Sequence, residues 1–326
     1  MPTKLNQLIA LLRNAPDEVF IQTHDVPDPD AIGAAFGLQY LLNQNGISAQ
    51  IVYNREIEKA DTAKMIEIFS IPIHHYSQIT TLGAEDWTVL IDAQKGNANV
   101  LDLPTDEVAC IDHHEHKQDV HYQFEDIRSE LGACSTIIAD YFFENEIEPP
   151  PVVATALLYG IFVDTDNLSR GVSNLDVEMF YRLYTLAEKN KLTTLRGSQI
   201  TKKDLLLYAE AFRNVETYDC LAFLKIQDTN DSLIGAANDF VLSIDTVNVS
   251  IAYSQKKDGI KLSIRSTIPH IKANELVRFI TADIGVGGGH AHMAGGFIPD
   301  NRIPPDKNID LYIRYKAIRY LEGIIL

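Results

Sequence analysis

Positive charge is scarce in this sequence. Lys and Arg number 28 against 45 Asp and Glu, and the formal net charge is −17. A protein that grips long nucleic acid draws affinity from phosphate contacts and carries a basic footprint. None is present, which argues against a long polyanion as partner. A short phosphorylated ligand needs only a local positive centre, and a bound metal ion can be the largest local charge. Long apolar runs are also missing. No stretch approaches the roughly 18 residues that span a bilayer, although 46% of the chain is apolar, as in an ordinary globular protein. Cysteine is sparse. Cys110, Cys134 and Cys220 form no close pair and read as small buried hydrophobes in a reducing cytoplasm. Near the N-terminus, Leu5, Leu8, Ile9 and Leu12 fall at helical spacing, which predicts a surface amphipathic helix and not a signal peptide. A chain of 326 residues exceeds what one core usually spans, so two domains are expected.

What is present is acid and imidazole at the ends of apolar runs. The stretch Val108–His116, VACIDHHEH, reads as a buried strand that emerges into Asp112-His113-His114. Val19–Thr23 is a strand candidate, followed by His24-Asp25-Val26-Pro27-Asp28-Pro29-Asp30 and a helix over Ala31–Leu42. Asp30 is placed to cap that helix, and the prolines hold the loop extended and keep the helix from starting early. His24, Asp28 and Asp30 can converge there as half of a metal site; a capped turn with solvated acids is the plainer alternative. Ala49–Tyr53 reads as a strand, Ala60–Phe69 as a helix, and His74 and His75 as surface residues of a loop. Thr88–Ile91 is a strand that ends at Asp92. His116 and His121 read as exposed, because the histidines lack the cysteine partners or helical HExxH spacing of familiar zinc sites. Ala133–Asn145 and Val152–Val163 are helices. The second runs into Asp164, an acid that the helix dipole disfavours and that a cation would compensate. Strands alternating with helices predict a mostly parallel sheet covered on both faces. Such sheets bind ligands beyond their carboxyl ends, which gathers His24, Asp92 and Asp112–His114 on one rim.

Beyond a helix that ends near Lys191, the polar stretch 191–203 reads as a linker between a domain of residues 1–190 and one of residues 204–326. Asp204–Asn214 is a helix; Leu221–Ile226, Val247–Ser254 and Ile260–Ser266 are strands; Lys256-Lys257-Asp258-Gly259 is a hairpin turn. A helix over Asn274–Ala282 leads into Gly285-Val286-Gly287-Gly288-Gly289-His290. This run follows a helix, lacks the spacing of a dinucleotide fingerprint, and has no Gly-Lys-Ser/Thr of a P-loop. A close-packed turn between helices is the plainer alternative; successive glycines let backbone N–H groups face an anion together, and with His290 beside them and Arg265 ending a strand in the same domain the run reads as a phosphate or nucleotide cradle, with His292 as a neighbour.

The ordered segments HDVPDPDAIG, IDAQ, IDHH and GIFVDTDN resemble the four motifs of the DHH phosphoesterases. GVGGGHAHMAGG resembles the signature of their DHHA1 companion domain. Length and layout are similar to the bacterial nano-RNase group, the oligoribonuclease/pAp phosphatases. The resemblance implies an α/β protein: a mostly parallel-sheet DHH domain, a smaller α/β DHHA1 domain, and an active site in the cleft between them. It implies two divalent metal ions, typically Mn2+. His24 and Asp28 would bind one, Asp30, His113 and Asp164 the other, and Asp92 would bridge. Asp92, Asp112 and His114 would form the catalytic group, with Asp112 orienting its neighbours and His114 facing the substrate phosphate. Arg265, Gly287, Gly288, Gly289 and His290 would hold the substrate together with His114. Two metals roughly 3.5–4 Å apart can activate a water for in-line attack on phosphorus. The expected activity is hydrolysis of short oligonucleotides (nano-RNA) and/or 3′-phosphoadenosine 5′-phosphate in the cytoplasm; a homodimer is compatible with it. The alternatives are another small phosphate (a linear or cyclic dinucleotide, pyrophosphate or polyphosphate) or a non-catalytic nucleotide-binding regulator. The chain departs from the family where it has Gly33-Ala34 in place of Gly-Ser, Lys95 as the only cation near the second motif, and Asp166-Asn167 where a glycine is common. These departures bear on substrate preference and remove no metal ligand.

Overall fold

The computed structural model describes residues 2–57, 60–116, 120–196, 202–227, 231–303, 305–306 and 308–325. The chain divides into two compact units, Met1–Gln199 and Ile200–Leu326.

The first unit runs α1 (Lys4–Leu12), β1 (Val19–Gln22), α2 (Pro29–Gln44), β2 (Ala49–Tyr53), α3 (Ala60–Phe69), β3 (Ile73–His75), β4 (Trp87–Ile91), β5 (Asp106–Asp112), β6 (Phe124–Ile127), α4 (Cys134–Glu144), α5 (Pro151–Asp164), α6 (Asn174–Leu186) and α7 (Lys189–Arg196). Its six strands are all parallel, in the order β3-β2-β1-β4-β5-β6. The chain leaves β1 in one direction to build β2 and β3, then returns to its other side for β4, β5 and β6. Strand direction is constant but order reverses between β1 and β4, and that reversal opens a crevice at the carboxyl ends. Successive side chains on a strand face opposite ways. Val19 and Ile21 join the main core with α1, α2, α4 and α5, while Phe20 and Val52 join a smaller cluster. That second face is covered by Leu101, Leu103, Ile79 and Leu82 from connecting segments and by Tyr76 of a short 3-10 helix, rather than by α-helices.

Two helices cross closely enough to exclude side chains. A Cβ on Gly33 of α2 would lie 2.8 Å from the Ala156 carbonyl oxygen of α5, and one on Gly160 of α5 would overlap Ser135 Oγ and lie 3.0 Å from Asp30 Oδ1. The start of α2 differs from the sequence expectation. Asp28, not Asp30, is the N-cap; its Oδ1 accepts from the N–H groups of Asp30 and Ala31. Pro29 occupies the first helical position, where a missing N–H costs nothing. His74 and His75 lie on the edge strand β3 and not in a loop.

The second unit contains α8 (Lys202–Arg213), β7 (Glu216–Tyr218), β8 (Leu221–Lys225), α9 (Asp231–Leu242), β9 (Val249–Gln255), β10 (Gly259–Ser266), α10 (Ala273–Thr281), β11 (Val286–Gly289), β12 (Met293–Pro299) and α11 (Ile309–Ile325). Its sheet is mixed, β11-β12-β10-β9-β8-β7, with β8 and β9 parallel and the other pairs antiparallel. Part of the stretch read as linker is helical, since α7 reaches Arg196; residues 197–201 lie outside the described set. The glycine run is an edge strand and not a turn between helices, with Val286 to Gly289 paired against Phe297 to Ala294. The reason is space. A Cβ on Gly287 would lie 2.9 Å from Val277 of α10, and Gly289, at φ +133°, would place one 2.6 Å from the Met293 carbonyl. Among the described residues, no helix is long and apolar enough to cross a membrane.

Candidate metal centre

His24 lies two residues beyond the end of β1. Its loop is pinned by Asp25, which is buried: Asp25 Oδ1 accepts from Leu101 N–H, its own N–H donates to Asn99, and its carbonyl accepts from Arg55 N–H. The cap geometry of α2 then fixes the Asp28 carboxylate near the ring, with His24 Nε2 4.0 Å from Asp28 Oδ1. Asp30, 1% exposed, turns inward instead. Its two oxygens accept from the first N–H groups of α4, Cys134 at 2.7 Å and Ser135 at 2.8 Å. A helix N-terminus favours an anion in this position.

Asp92 follows β4 with φ +54°, a left-handed conformation that Asp tolerates better than most residues. Its N–H donates to the Ile111 carbonyl of β5. Its carboxylate divides between two groups: Oδ2 lies 3.8 Å from His24 Nε2, and Oδ1 lies 3.3 Å from His113 Nε2 and 3.7 Å from His114 Nδ1. Asp92 Oδ1 is buried with no hydrogen-bond partner, a situation that proteins seldom leave uncompensated.

His113 and His114 leave the end of β5. The Nδ1 of His113 is 3.2 Å from the Leu131 carbonyl, which can only accept, so this nitrogen carries the proton. Nε2 is thereby left as a ligand atom, 3.2 Å from Asp164 Oδ2 and 4.0 Å from Asp30 Oδ2. Asp112 is fully buried. Its Oδ1 accepts from His113 N–H and from His114 Nδ1, each at 2.8 Å, and its Oδ2 accepts from Gln94 Nε2 at 2.7 Å. Asp164 enters as the last residue of α5.

The potential donor atoms fall into three groups, each within 4.8 Å: His24, Asp28 and Asp92; Asp30, His113 and Asp164; and Asp92, His113 and His114. Carboxylates this close repel when charged. Burial, then Asp92 and Asp164, pushes the Asp30 carboxyl well up, and burial raises Asp164 to about 6. Burial opposes a charge on His113, but Asp92, Asp164 and Asp30 outweigh it and hold the ring well above its usual range. The same contest, decided by Asp112 and Asp92, lifts His114 to about 9. Asp112 moves down despite its burial, because His114, His113 and Gln94 favour its charged form. Oxygen and imidazole donors around an orphaned carboxylate oxygen fit divalent cations of the manganese, iron or zinc type.

The second unit gathers its own set of expected residues at one end of its sheet. Arg265 pairs in register with Met293, Ser266 N–H reaches the His292 carbonyl, and the rings of His290 and His292 stack at 5.6 Å. The Arg265 side chain is 8% exposed and already engaged: Nε donates to Asp239 at 2.6 Å and a terminal nitrogen to Ser263 Oγ at 3.0 Å. Gly287 packs on α10, and a Cβ on Gly288 would meet nothing within 4 Å among the described residues. His75 bonds Ser77, and His116 lies 3.4 Å from Glu125, both outside the cluster.

Three contributors escaped the sequence reading. Gln94 was visible inside IDAQ. Asp176 was signalled by the capping-box pattern Ser173-x-x-Asp176; it also binds Gly132 N–H, beside Leu131. The Leu131 carbonyl, a backbone atom far from His113 in sequence, gave no signal.

Residues 18–161 match the N-terminal domain of the DHH family, and residues 219–312 match the DHHA1 domain. The chain is 26% identical over 319 residues to the cyclic-di-AMP phosphodiesterase PdeA of Listeria monocytogenes, covering 91% of this chain and 47% of that one. It is 29% identical over 154 residues to a probable manganese-dependent inorganic pyrophosphatase of Streptococcus thermophilus, covering 45% of this chain and 48% of the other. The chain thus spans about half the length of each of these relatives. An exopolyphosphatase-related protein of Bacteroides fragilis has the same fold, with a TM-score of 0.79 at 17% identity over 99% of this chain and 98% of that one.

Proposed function

We propose that this chain, which joins a DHH N-terminal domain to a DHHA1 domain, is a phosphoesterase that uses two divalent ions, manganese by preference. Its substrates in this reading are short oligonucleotides and 3′-phosphoadenosine 5′-phosphate. The observation that carries the reading is the divided carboxylate of Asp92, one oxygen toward His24 and the other toward His113. A single residue with an atom in each of two ligand groups is what a paired metal site requires. Two divalent ions bound there would supply Lewis-acid stabilisation and a nucleophile at neutral pH. The chain's own residues do the rest. His24, Asp28 and Asp92 would hold one ion, and Asp30, His113, Asp164 and Asp92 the other. Asp112 holds His114 by Nδ1 and favours its charged form, so a half-exposed cation meets an incoming phosphate. In the second unit, the sheet end bearing Gly289, His290 and Arg265 is assigned to the nucleotide.

Support from relatives lies at the level of phosphate chemistry: one is named for a cyclic dinucleotide and another for pyrophosphate. The test is a manganese-supplemented panel of 3′-phosphoadenosine 5′-phosphate, di- to pentanucleotides, cyclic dinucleotides and pyrophosphate. The reading expects the first two classes to give the highest kcat/KM. A cyclic dinucleotide or pyrophosphate in first place would overturn the substrate assignment and leave the metal chemistry standing.

A further inference from the structure

The turn after Asp164 is built from strained backbone. Asp166, Asn167 and Leu168 have φ of +47°, +60° and +62° in succession. Asp and Asn enter this region singly at small cost, but a run of three that includes a leucine must be held by its surroundings. It is held. Asn167 N–H donates to Phe162 at 2.8 Å, and Ser169 and Arg170 N–H both donate to the Thr165 carbonyl. Thr165 is fully buried, and its Oγ1 accepts from Leu168 N–H. The chain is thereby folded back onto the end of α5.

The far side of the turn is fixed as well. The Gly171 carbonyl occupies the space that a Cβ on Gly132 would need, and Gly132 follows Leu131, the residue whose carbonyl holds His113. Asp176 ties the two segments together, accepting from Gly132 N–H at 2.9 Å and from Ser173 N–H at 2.7 Å. Arg170 is therefore clamped between the turn that follows one metal-ligand candidate and the loop that supports another.

Its side chain is half-buried, and its Nε is shut off from solvent with no hydrogen-bond partner. Other arginines held in the fold have an acid partner: Arg128 with Asp126 and Asp140, Arg265 with Asp239, and Arg314 with Glu216 through its terminal nitrogens, although Arg314 Nε is also without a partner. In a chain of net charge −17, a buried guanidinium nitrogen without a partner, on the strained turn that follows Asp164, calls for an anion from outside.

We propose that Arg170 binds the phosphate of the substrate in this site, donating from its planar fork to two non-bridging oxygens. This deepens the phosphoesterase reading and rests on it. The test compares the manganese-loaded full chain with Arg170→Met, which keeps the buried stem, and Arg170→Lys, which keeps a charge without the fork. Four quantities are measured: calorimetric binding of inorganic phosphate, kcat/KM on a dinucleotide, metal content and Tm. Arg170→Met should weaken phosphate binding and lower kcat/KM by about 10- to 100-fold, the scale of a lost charged hydrogen-bonded fork, with metal content and Tm unchanged. Arg170→Lys should recover part of both. Wild-type phosphate binding and turnover in Arg170→Met would overturn the proposal and leave the phosphoesterase reading intact. So would loss of metal or of Tm in both variants in proportion to the loss of binding, which would make Arg170 structural. If the wild type binds phosphate through Arg170 but hydrolyses nothing in the panel, the activity reading fails and the assignment stands. A wild type that binds no phosphate sinks the assignment.

Discussion

Asp92 combines a left-handed backbone with a divided carboxylate, and that combination chooses its own diagnostic substitution. Asn accepts the same φ as Asp, so Asp92→Asn keeps the turn and removes the charge that two cations would share. Steady-state kinetics should show turnover down by about 10³-fold or more, the scale of ~4 kcal/mol from a major electrostatic element; normal turnover at limiting metal would contradict the two-metal site. The proton balance of the cluster gives a second prediction. His113 is held above its usual range, Asp30 is raised, and Asp164 sits at about 6, so the metal-free cluster holds protons that metal binding must expel. Manganese affinity should therefore rise with pH and fall steeply below about pH 6. Calorimetry in buffers of different ionisation enthalpy should register net proton release, and uptake would mean that the donors are wrong. At this scale the sequence displayed every acid and imidazole of the cluster, because charged residues at the ends of apolar runs stand out. It did not display which acid caps α2. Asp28 and Asp30 are both cap residues by type, and only the packing of α4 against Asp30 distinguishes them.

The elements set the spacing of the ligands. Asp30 rides on α2 and Asp164 on α5, and the separation of those helices depends on two residues without side chains. Gly160→Ala would force a methyl group against Ser135 Oγ and Asp30. We expect a loss of roughly 1–3 kcal/mol in urea unfolding, the usual cost of overpacking, together with weaker manganese binding. A variant that is destabilised yet binds metal normally would show that the crossing does not set the site. Asp176→Ala strips partners from Gly132, Ser173 and Thr136 at once. Its expected cost is about 2–4 kcal/mol, from several buried donors left unsatisfied. The inner strands other than β12 were legible because a strand buried on both faces is a continuous apolar run; β12, Met293–Pro299, alternates buried and half-buried residues around two glycines and gave no such run. The edge strands β3, β6 and β7 were not legible either, since one side of each faces away from the core and the pattern is short. The β11 run was not legible as a strand for a different reason: glycine carries no side chain to mark a face.

At the scale of the molecule, the acidic net charge predicts preference for short substrates. Efficiency should fall steeply from a dinucleotide to a 30-mer; equal efficiency on both would contradict the reading of the charge. Each unit has a core of its own, and the metal-ligand candidates all lie in the first. Manganese at about 100 times its Kd should add roughly 2.7 kcal/mol per ion to the first unit alone. In scanning calorimetry, one transition should move and the other stay.

The order of elements along the chain also has a consequence in time. The parallel sheet is complete once β6 has been made at Ile127, but Asp164 arrives only at the end of α5. During synthesis at roughly 5–20 residues per second, the nascent chain would spend on the order of two to eight seconds with a finished sheet and an open coordination position. A cell that supplies manganese to this protein therefore gains nothing by delivering it early. Loading is timed by the emergence of the fifth helix from the ribosome.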